Sequence, residues 1–400
     1  MKLAPLYLSL SFLPFLVLPV DSQASAFISI GDSAEIYLEA DASIRSSSNL
    51  FRSNTSNEQD DVVVVVSPGL ELIVGRGTDL SFTINASYDI SRYQDFDNLD
   101  NEASRYAALF AYTADRLELE AQASHSEINT TYLNSNDIQN ISGSLIESEI
   151  EFIKIDTEYD LSPKFSFGVA VKTRTLEYKG VASSLAANTD KTSIPIDLFY
   201  ELTPKLDLSI GYTPAVTDIT NLPNLNNTPR LDYENDQEFF NVGLRGQLTK
   251  KLAGQIKVGL RENTRKIPNN PGIESDMFGA DGSVKWTITP KLVSTLGGSV
   301  DFDAGGDGTT TEVTAIYFNN NYTINANWAS GINFKYSARD YTGGSGREDE
   351  TFIFGLRLSY VMNSNWIFGT GYTFTDNGTN SSLGTDYSDH SFDLGVSLRY

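Results

Sequence analysis

Apolar and polar residues alternate over short stretches along most of the chain. The alternation is clearest in the segments 206–212, 252–261 and 352–360. In the first of these, Leu206, Leu208 and Ile210 are separated by single polar or small residues. Successive side chains of a β-strand point to opposite faces, so this pattern predicts strands with one apolar face and one polar face.

A short polar motif between apolar residues recurs along the chain. Four close copies and four looser copies occupy the following ranges: 161–165, 202–206, 248–252 and 288–292; 75–79, 113–117, 324–328 and 362–366. Pro, Asn and Asp in these positions favour tight turns. The motif returns roughly every 40 residues, which is long enough for two strands of about 10 residues and one long loop.

Longer polar stretches of variable sequence lie between the motifs. They occupy residues 45–61, 92–103, 126–146, 178–191, 216–236, 264–276, 303–310, 339–349 and 376–388. Short turns that alternate with long loops are typical of an outer-membrane barrel, with the turns in the periplasm and the loops outside the cell. Counting from Ala34, the sequence predicts an all-β fold, a transmembrane antiparallel β-barrel of about 18 strands, with 16 possible.

Two segments fit the strand pattern poorly. The apolar phase slips between Phe152 and Ile153, and a β-bulge in segment 147–159 would explain the slip. Asn319–Asn321 place three consecutive amides inside a predicted strand, for which the pattern offers no reason.

Aromatic residues concentrate near the short turns. The set comprises Tyr159, Phe165, Tyr200, Trp286, Trp328, Tyr360, Trp366 and Tyr400. Amphipathic rings favour the boundary between lipid and water, so this set predicts one girdle of a membrane barrel. A soluble β-sandwich or propeller also repeats its turns, but neither needs such a girdle.

The amino-terminal segment has the features of a secretory signal peptide. Lys2 precedes the apolar stretch Leu3–Val20, and Ala24–Ala26 form a small-residue cleavage site. We therefore expect residues 1–26 to be removed and residues 27–400 to form the barrel domain. The chain contains no Cys, so neither a lipid-modified cysteine nor a disulfide framework is expected.

The carboxyl-terminal segment combines strand alternation with a final aromatic residue. Its pattern resembles the signal that the bacterial outer-membrane insertion machinery reads, and the matching positions are Asp393, Gly395, Leu398 and Tyr400. The resemblance implies that this machinery is a partner and that the protein resides in the outer membrane, in contact with lipid and lipopolysaccharide.

Several segments together resemble a known family. They are the strand Glu35–Tyr37, the stretch Ser48–Arg52, the Val62–Val66 run with the following Ser67–Leu72, and the strand Val242–Gly246. Together with the Thr-Pro-Lys-Leu turns, these are similar to the outer-membrane β-barrel porins of Gram-negative bacteria, some of which accompany exopolysaccharide gene clusters. The resemblance spans the mature chain. It implies passive passage or export of hydrophilic solutes, no catalytic motif and no cofactor.

Charge is strongly acidic overall but unevenly placed. The chain has 29 Lys and Arg against 52 Asp and Glu, a formal net charge of -23, which excludes nucleic acid as a partner. Acidic residues crowd the long loops. Basic residues recur at predicted inward positions: Lys172, Arg174, Arg245, Lys257, Arg261, Lys285, Lys335 and Arg357.

Two interpretations of these inward bases remain open. They could line a water-filled pore that favours anionic solutes such as acidic saccharides, because charged rings select ions by sign. Alternatively, they could pair with inward acids, of which Asp207, Asp281 and Asp301 are the clearest, across a filled lumen. We expect inward acids to be fewer than inward bases.

Other kinds of function have weaker support. Asp301, Asp303 and Asp307 could bind a divalent cation, but their spacing departs from known Ca²⁺ loops, so no metal is expected. A barrel hydrolase would need a Ser-His-Asp relay, and His125 is flanked by serines that must point to the opposite face. His390 beside Asp389 has the same problem. A non-conducting structural or adhesion barrel is a further alternative.

Overall fold

A computed structural model describes residues 26–31, 33–132, 144–222, 230–268, 272–306, 308–342, 346–381 and 384–400. The strands of the described chain are β1 Ile28–Ile30, β2 Ala34–Ser47, β3 Asp61–Val74, β4 Leu80–Tyr93, β5 Asn101–Thr113, β6 Leu117–Thr130, β7 Ile146–Ser162, β8 Phe165–Tyr178, β9 Asn188–Ser193, β10 Ile196–Thr203, β11 Leu206–Thr220, β12 Tyr233–Thr249, β13 Leu252–Lys266, β14 Ile273–Thr289, β15 Leu292–Ala304, β16 Thr310–Thr323, β17 Trp328–Tyr341, β18 Glu348–Val361, β19 Trp366–Thr379 and β20 Tyr387–Arg399. In the described part of the chain, two short 3-10 helices, Asp97–Leu99 and Gly180–Ser184, lie in loops. Among the described residues, no helix has the length and apolar character needed to span a bilayer.

The strands form one closed antiparallel barrel. From β2 onward each strand pairs with its neighbour in sequence, except that β9 and β10 do not pair with each other, and β20 pairs with β2 through contacts such as Ala40 with Leu398. β9 and β10 share one line, because both pair with β8 and β11 in the same register and are separated only at Ile194 and Pro195. Pro195 lacks the N–H that would continue the ladder. Eighteen strands therefore form the barrel wall, and the prediction of about 18 strands is confirmed.

The short strand β1 lies outside this count. It pairs with the periplasmic end of β2, with Ile28 opposite Ile36. Beyond β1, the same edge of β2 pairs with the carboxyl-terminal residues of the chain. There Leu38 and Tyr400 exchange two backbone hydrogen bonds of 2.7 and 2.9 Å. The Phe27 and Tyr400 rings are 6.0 Å apart. β1 thus extends the line of β20 along the edge of β2.

The alternation read from the sequence becomes an apolar outside and a polar inside. On β12, Val242 faces outward opposite Val258 of β13 and is 53% exposed, whereas Arg245 faces the lumen. Leu260 is 61% exposed on the same outer wall. An apolar exposed wall would be unfavourable in water and is stable in the hydrocarbon region of a bilayer.

Aromatic residues form girdles at both boundaries of the apolar wall. The eight residues of the predicted girdle all occupy outward positions near the short turns. Toward the extracellular side, outward tyrosines reach polar partners above them. Tyr212 donates to Glu238 at 3.0 Å and Tyr336 donates to Glu350 at 2.8 Å. Such rings lie between lipid and water.

The bulge expected near Phe152 is absent, and that prediction was wrong. β7 pairs with β6 and β8 in an unbroken register through this region, and its one shift lies between Asp160 and Ser162. Ile153 and Ile155 face lipid, being 49% and 46% exposed, while Glu151 on the same face lies above them. The apparent phase slip marks the level at which the strand leaves the membrane.

The three consecutive asparagines also have a structural reason. Asn320 faces outward at the level of the periplasmic girdle, where its Nδ2 donates to Ser294 Oγ at 2.7 Å. Asn319 and Asn321 face the lumen on either side of it. The outward amide is therefore satisfied by a neighbouring strand near the membrane boundary.

Replacing Tyr400 by Ala should lower the amount of folded protein in the outer membrane several-fold. The change removes the ring that contacts Phe27 at the junction of β1, β2 and β20. It also removes the aromatic residue of the predicted assembly signal. Heat-modifiable mobility on gels, which separates folded from unfolded barrels, would measure the effect.

Tyr360→Ala is the matched control, because Tyr360 belongs to the same girdle but lies in β18. We expect it to leave assembly close to wild type. Equal amounts of folded protein for both variants would contradict the interpretation of the terminus.

Candidate functional site

All eight basic residues singled out from the sequence lie on the lumen face of the barrel. They are Lys172 and Arg174 on β8, Arg245 on β12, Lys257 and Arg261 on β13, Lys285 on β14, Lys335 on β17 and Arg357 on β18. Their partners differ, and these partners determine which of them keep a charge available to a solute. That they line a conducting pore stays a prediction.

Arg245 is the centre of an ion-pair network on the lumen wall. Its two terminal nitrogens donate to the Glu158 carboxylate at 2.7 and 2.6 Å, and its Nε donates to Asp207 at 3.0 Å. The guanidinium carbon lies 3.4 Å from the centre of the Phe199 ring. A planar guanidinium can satisfy two carboxylates and an aromatic face at once, so the charge of Arg245 is compensated within the wall.

Lys257 and Arg261 are compensated in the same way. Lys257 Nζ lies 2.7 Å from both oxygens of Asp197, three strands away on β10. Arg261 pairs with Asp301 at 2.9 Å. Glycines let Lys257 lie flat: a Cβ at Gly243 would come within 3.0 Å of its Cγ. Small residues on intervening strands thus allow ion pairs between strands that are not neighbours.

Three of the eight bases make no ion pair among the residues that the structure describes. They are Arg174, Lys285 and Lys335. Lys172 and Arg357 interact with neighbouring residues. The basic character that a solute would meet therefore rests on fewer residues than the sequence suggested.

Inward acids are more numerous than expected, and that expectation was wrong. They include Glu39, Asp41, Glu71, Asp89, Glu120, Asp156, Glu158, Asp197 and Asp393. Many of them lie on the amino-terminal strands β2 to β7. Arg399 pairs with Glu71 and with Glu39, and Lys154 bridges Glu120 and Asp156. The lumen wall is thus a mosaic of both charges.

The barrel wall opens on its extracellular side between β14 and β15. Their pairing ends at Ala280 and Val300, although β14 continues to Ile273 and β15 continues to Ala304. The β15–β16 hairpin keeps its pairing with β17 up to Tyr341. The hairpin therefore turns away from β14 while it remains attached to the other side of the wall.

The tip of this hairpin packs against lumen-facing residues of distant strands. Ala187 N donates to Gly306 O at 2.7 Å, and Asn235 Nδ2 donates to Thr310 Oγ1 at 3.2 Å. Tyr233 Oη donates to the carbonyl of Gly308. Ile219, on the lumen face of β11, is fully buried beside this tip. The hairpin tip therefore lies inside the mouth of the barrel.

Other loop segments also fill parts of the mouth. Phe51, fully buried, packs edge-on against Phe96 with ring centres 5.1 Å apart. The Arg52 guanidinium lies 3.6 Å from the Tyr132 ring centre. Burial disfavours the charge of Arg52, but Tyr132 and other neighbours outweigh it and raise the pKa of Arg52. Arg52 therefore stays charged at the mouth.

The candidate metal-binding and hydrolase residues do not come together into a site in the described part of the structure. Asp301 pairs with Arg261, and Asp303 pairs with Arg339 at 3.3 Å. Asp307 lies outside the described residues, and among those that are described no group of three metal-binding side chains occurs. His125 faces outward, 3.5 Å from Glu151, whereas Ser124 and Ser126 face the lumen.

The second histidine, His390, does not form a catalytic relay with Asp389 either. His390 faces outward and lies 2.9 Å from the hydroxyl of Tyr372, whereas Asp389 faces inward and accepts from Ser47 at 2.8 Å.

A closed barrel with an apolar outer wall, two aromatic girdles and a charged lumen defines an outer-membrane β-barrel. The model of the family described as Putative beta-barrel porin 2 matches residues 227–400. This match confirms, over that part of the chain, the resemblance to outer-membrane porins. No curated protein sequence matches the chain.

Solved barrels of several bacteria are similar to the structure. Against OccAB4 of Acinetobacter baumannii the identity is 12%, with 92% of this chain and 99% of that chain covered and a TM-score of 0.44. Against OpdK of Pseudomonas aeruginosa the identity is 9%, with 92% of this chain and 99% of that chain covered and a TM-score of 0.45. Against the ferric-catecholate import receptor Fiu of E. coli the identity is 8%, with 93% of this chain and 82% of that chain covered and a TM-score of 0.46.

Gly308→Ala should displace the hairpin tip and raise single-channel conductance. Gly308 has a φ of +75°, and an added Cβ would lie 2.9 Å from Leu222 Cδ2. The side chain therefore has no room unless the tip moves away from the wall. Recordings in planar bilayers would show larger or more variable current steps.

Gly346→Ala is the matched control. Its φ is +61°, so the backbone strain is similar, but nothing lies within 4 Å of an added Cβ. We expect unchanged current steps for this variant. Similar conductance for both variants would mean that the position of the tip does not limit the current.

Proposed function

We propose that the protein is an outer-membrane channel for hydrophilic solutes, with a weak preference for anions such as acidic saccharides. The closed barrel of eighteen strands with a polar, charged inner wall is the observation that carries this proposal. Barrels of 16 to 18 strands leave an aqueous lumen unless loops fill it. The family match over residues 227–400 points the same way.

The preference for anions is weak because most inward charges compensate one another. Arg245, Lys257 and Arg261 each pair with a carboxylate on the wall. Arg174, Lys285 and Lys335, which lack an ion pair among the described residues, would supply the remaining attraction. Unpaired charges in a lumen with low-dielectric walls act on passing ions more strongly than paired ones.

Acidic saccharides fit this lumen better than compact folded macromolecules do. An extended saccharide chain is thin and carries carboxylates and hydroxyls at intervals, which match arginines and amides along the wall. The narrowed mouth favours extended chains, because the tip at Gly306 and the loop at Phe51 occupy part of the opening. A role in exopolysaccharide passage is supported by the family resemblance.

A non-conducting structural barrel is the second candidate. The same ordered segments in the mouth favour it, because they could fill the opening rather than narrow it. Single-channel recording of refolded protein under a salt gradient separates the two. Open channels with a weakly anion-selective reversal potential support the proposal, and silence from demonstrably folded protein rejects it.

Replacing Lys285 and Lys335 together by Gln should shift the reversal potential toward cation selectivity. The two lysines are inward charges without an ion pair in the described chain, so their loss changes the field that a solute meets. The permeability ratio of anion to cation should fall about twofold or more. Reversal potentials under a tenfold salt gradient would measure the shift.

Lys179→Gln with Lys266→Gln is the control of equal charge change. Both of these lysines lie on the outer side of the barrel, where Lys179 bridges Glu149 and Glu177 and Lys266 bridges Glu234 and Asp236. Their loss should leave selectivity nearly unchanged. Equal shifts in both double variants would show that overall charge, rather than the lumen wall, determines selectivity.

A further inference from the structure

The upper parts of β14 and β15 keep the backbone conformation of paired strands although they do not pair with each other. Their shared ladder ends at Ala280 and Val300, yet β14 remains a strand to Ile273 and β15 remains a strand to Ala304. The two segments are separated because the hairpin bends into the mouth of the barrel. Closing the gap between them therefore needs a change of direction at the base of the hairpin, and no refolding of either segment.

The register of the paired stretch determines how the two segments would join. Because strand residues pair one by one, the register below the gap can be continued above it. Continued in this way from Ala280 and Val300, it gives the pairs Gly279 with Asp301, Phe278 with Phe302, and Asp276 with Ala304.

Phe302 shows the clearest fit to this second arrangement. Val300 faces outward opposite Ala280, so alternation assigns Phe302 to the outward face as well. In the inward hairpin, however, Phe302 is only 1% exposed. In the continued register it would become the next member of an outward row of Tyr212, Phe240, Leu260 and Phe278. Phe278 is 59% exposed, and a cross-strand aromatic pair would cover part of its ring.

The ion pair of Arg261 with Asp301 is compatible with both arrangements. Arg261 on β13 reaches across β14 to Asp301 at 2.9 Å. It crosses at Gly279, where an added Cβ would lie 2.5 Å from Arg261 Cγ. The continued register places Asp301 beside Gly279, so this pair can act as a pivot. Contacts nearer the tip, such as that of Asn235 with Thr310, exist only in the inward arrangement.

We propose that the β15–β16 hairpin is a gate with two positions. In the inward position, which the structure shows, the hairpin narrows the mouth. In the outward position, residues 301–304 pair with residues 276–279 of β14 and complete the wall. The inward position buries Phe302 and the tip, whereas the outward position gains backbone pairing and an aromatic pair. The effect on current rests on the proposed function, which the gate deepens by naming what regulates passage.

Introduced cysteine pairs test the two positions directly, because the chain contains no Cys of its own. Asp276→Cys with Ala304→Cys should trap the outward position. In the inward position Ala304 packs inside the mouth against a cluster that includes Ile219 and Tyr233, whereas Asp276 faces outward. A disulfide needs Cα atoms within about 7 Å of each other. Mild oxidation of folded protein in liposomes should therefore cross-link this pair only when the hairpin moves out.

Two further double variants share these positions and act as references. Asn235→Cys with Thr310→Cys should trap the inward position, in which the two native side chains are 3.2 Å apart. Asp276→Cys with Thr310→Cys is the control for random collisions, because these residues lie two strands, or about 10 Å, apart even in the outward position. We expect the outward pair to cross-link about fivefold or more faster than this control. Heat-modifiable mobility on gels confirms that each variant is folded.

Single-channel recording then tests whether the movement regulates passage. The oxidised outward pair should give current steps about twofold or more larger than the oxidised inward pair, and reduction should return both to similar steps. Cross-linking of the outward pair no faster than the control, while the inward pair cross-links, would overturn the two positions. Equal steps from both oxidised pairs would overturn the gate. If folded wild-type protein and all variants carry no current, the proposed function fails, and the cross-linking rates still decide whether the hairpin moves.

Discussion

Every backbone N–H and C=O in the hydrocarbon region must find a partner within the protein, and this requirement determines the rest of the structure. A sheet meets it only by closing on itself. The pairing of β2 with β20 removes the last free edges at membrane depth. Closure then fixes which face of each strand meets lipid, because side chains alternate strictly once the register is set. The apolar outer wall, the girdles and the polar lumen all follow from it.

Closure also concentrates the charges of eighteen strands on one concave surface. In a lumen, unlike on an open surface, side chains from strands that are not neighbours converge, and glycines allow them to lie flat across the strands between. The contact of Arg245 with Glu158 joins β12 to β7, and that of Lys257 with Asp197 joins β13 to β10. These pairs stiffen the wall and compensate its charge, leaving selectivity to the residues outside the network.

The fold was predictable because its main signal is local. A period of two and a repeated turn motif require only neighbouring residues, and together they predicted the strand number, the girdle and the inward position of residues such as Lys285. Partners such as Glu158 for Arg245 were not predictable, since they depend on the curvature of the closed wall. The inward course of the β15–β16 hairpin carries no local signal, because its residues alternate as an ordinary pair of strands does. The phase change at Ile153 is a boundary of the membrane, which periodicity alone cannot distinguish from a bulge.

The parting of β14 from β15 has a consequence for the behaviour of the protein in a crowded membrane. Residues Ile273–Gly279 of β14 pair with β13 only among the described strands, so their other backbone edge can accept a foreign strand. Glu274 and Asp276 point outward from this segment. If two copies in one membrane approached edge to edge at this segment, the two strands would run parallel and like carboxylates would lie side by side, so their repulsion opposes such self-association. The segment thus carries its own protection against uncontrolled joining of neighbouring barrels.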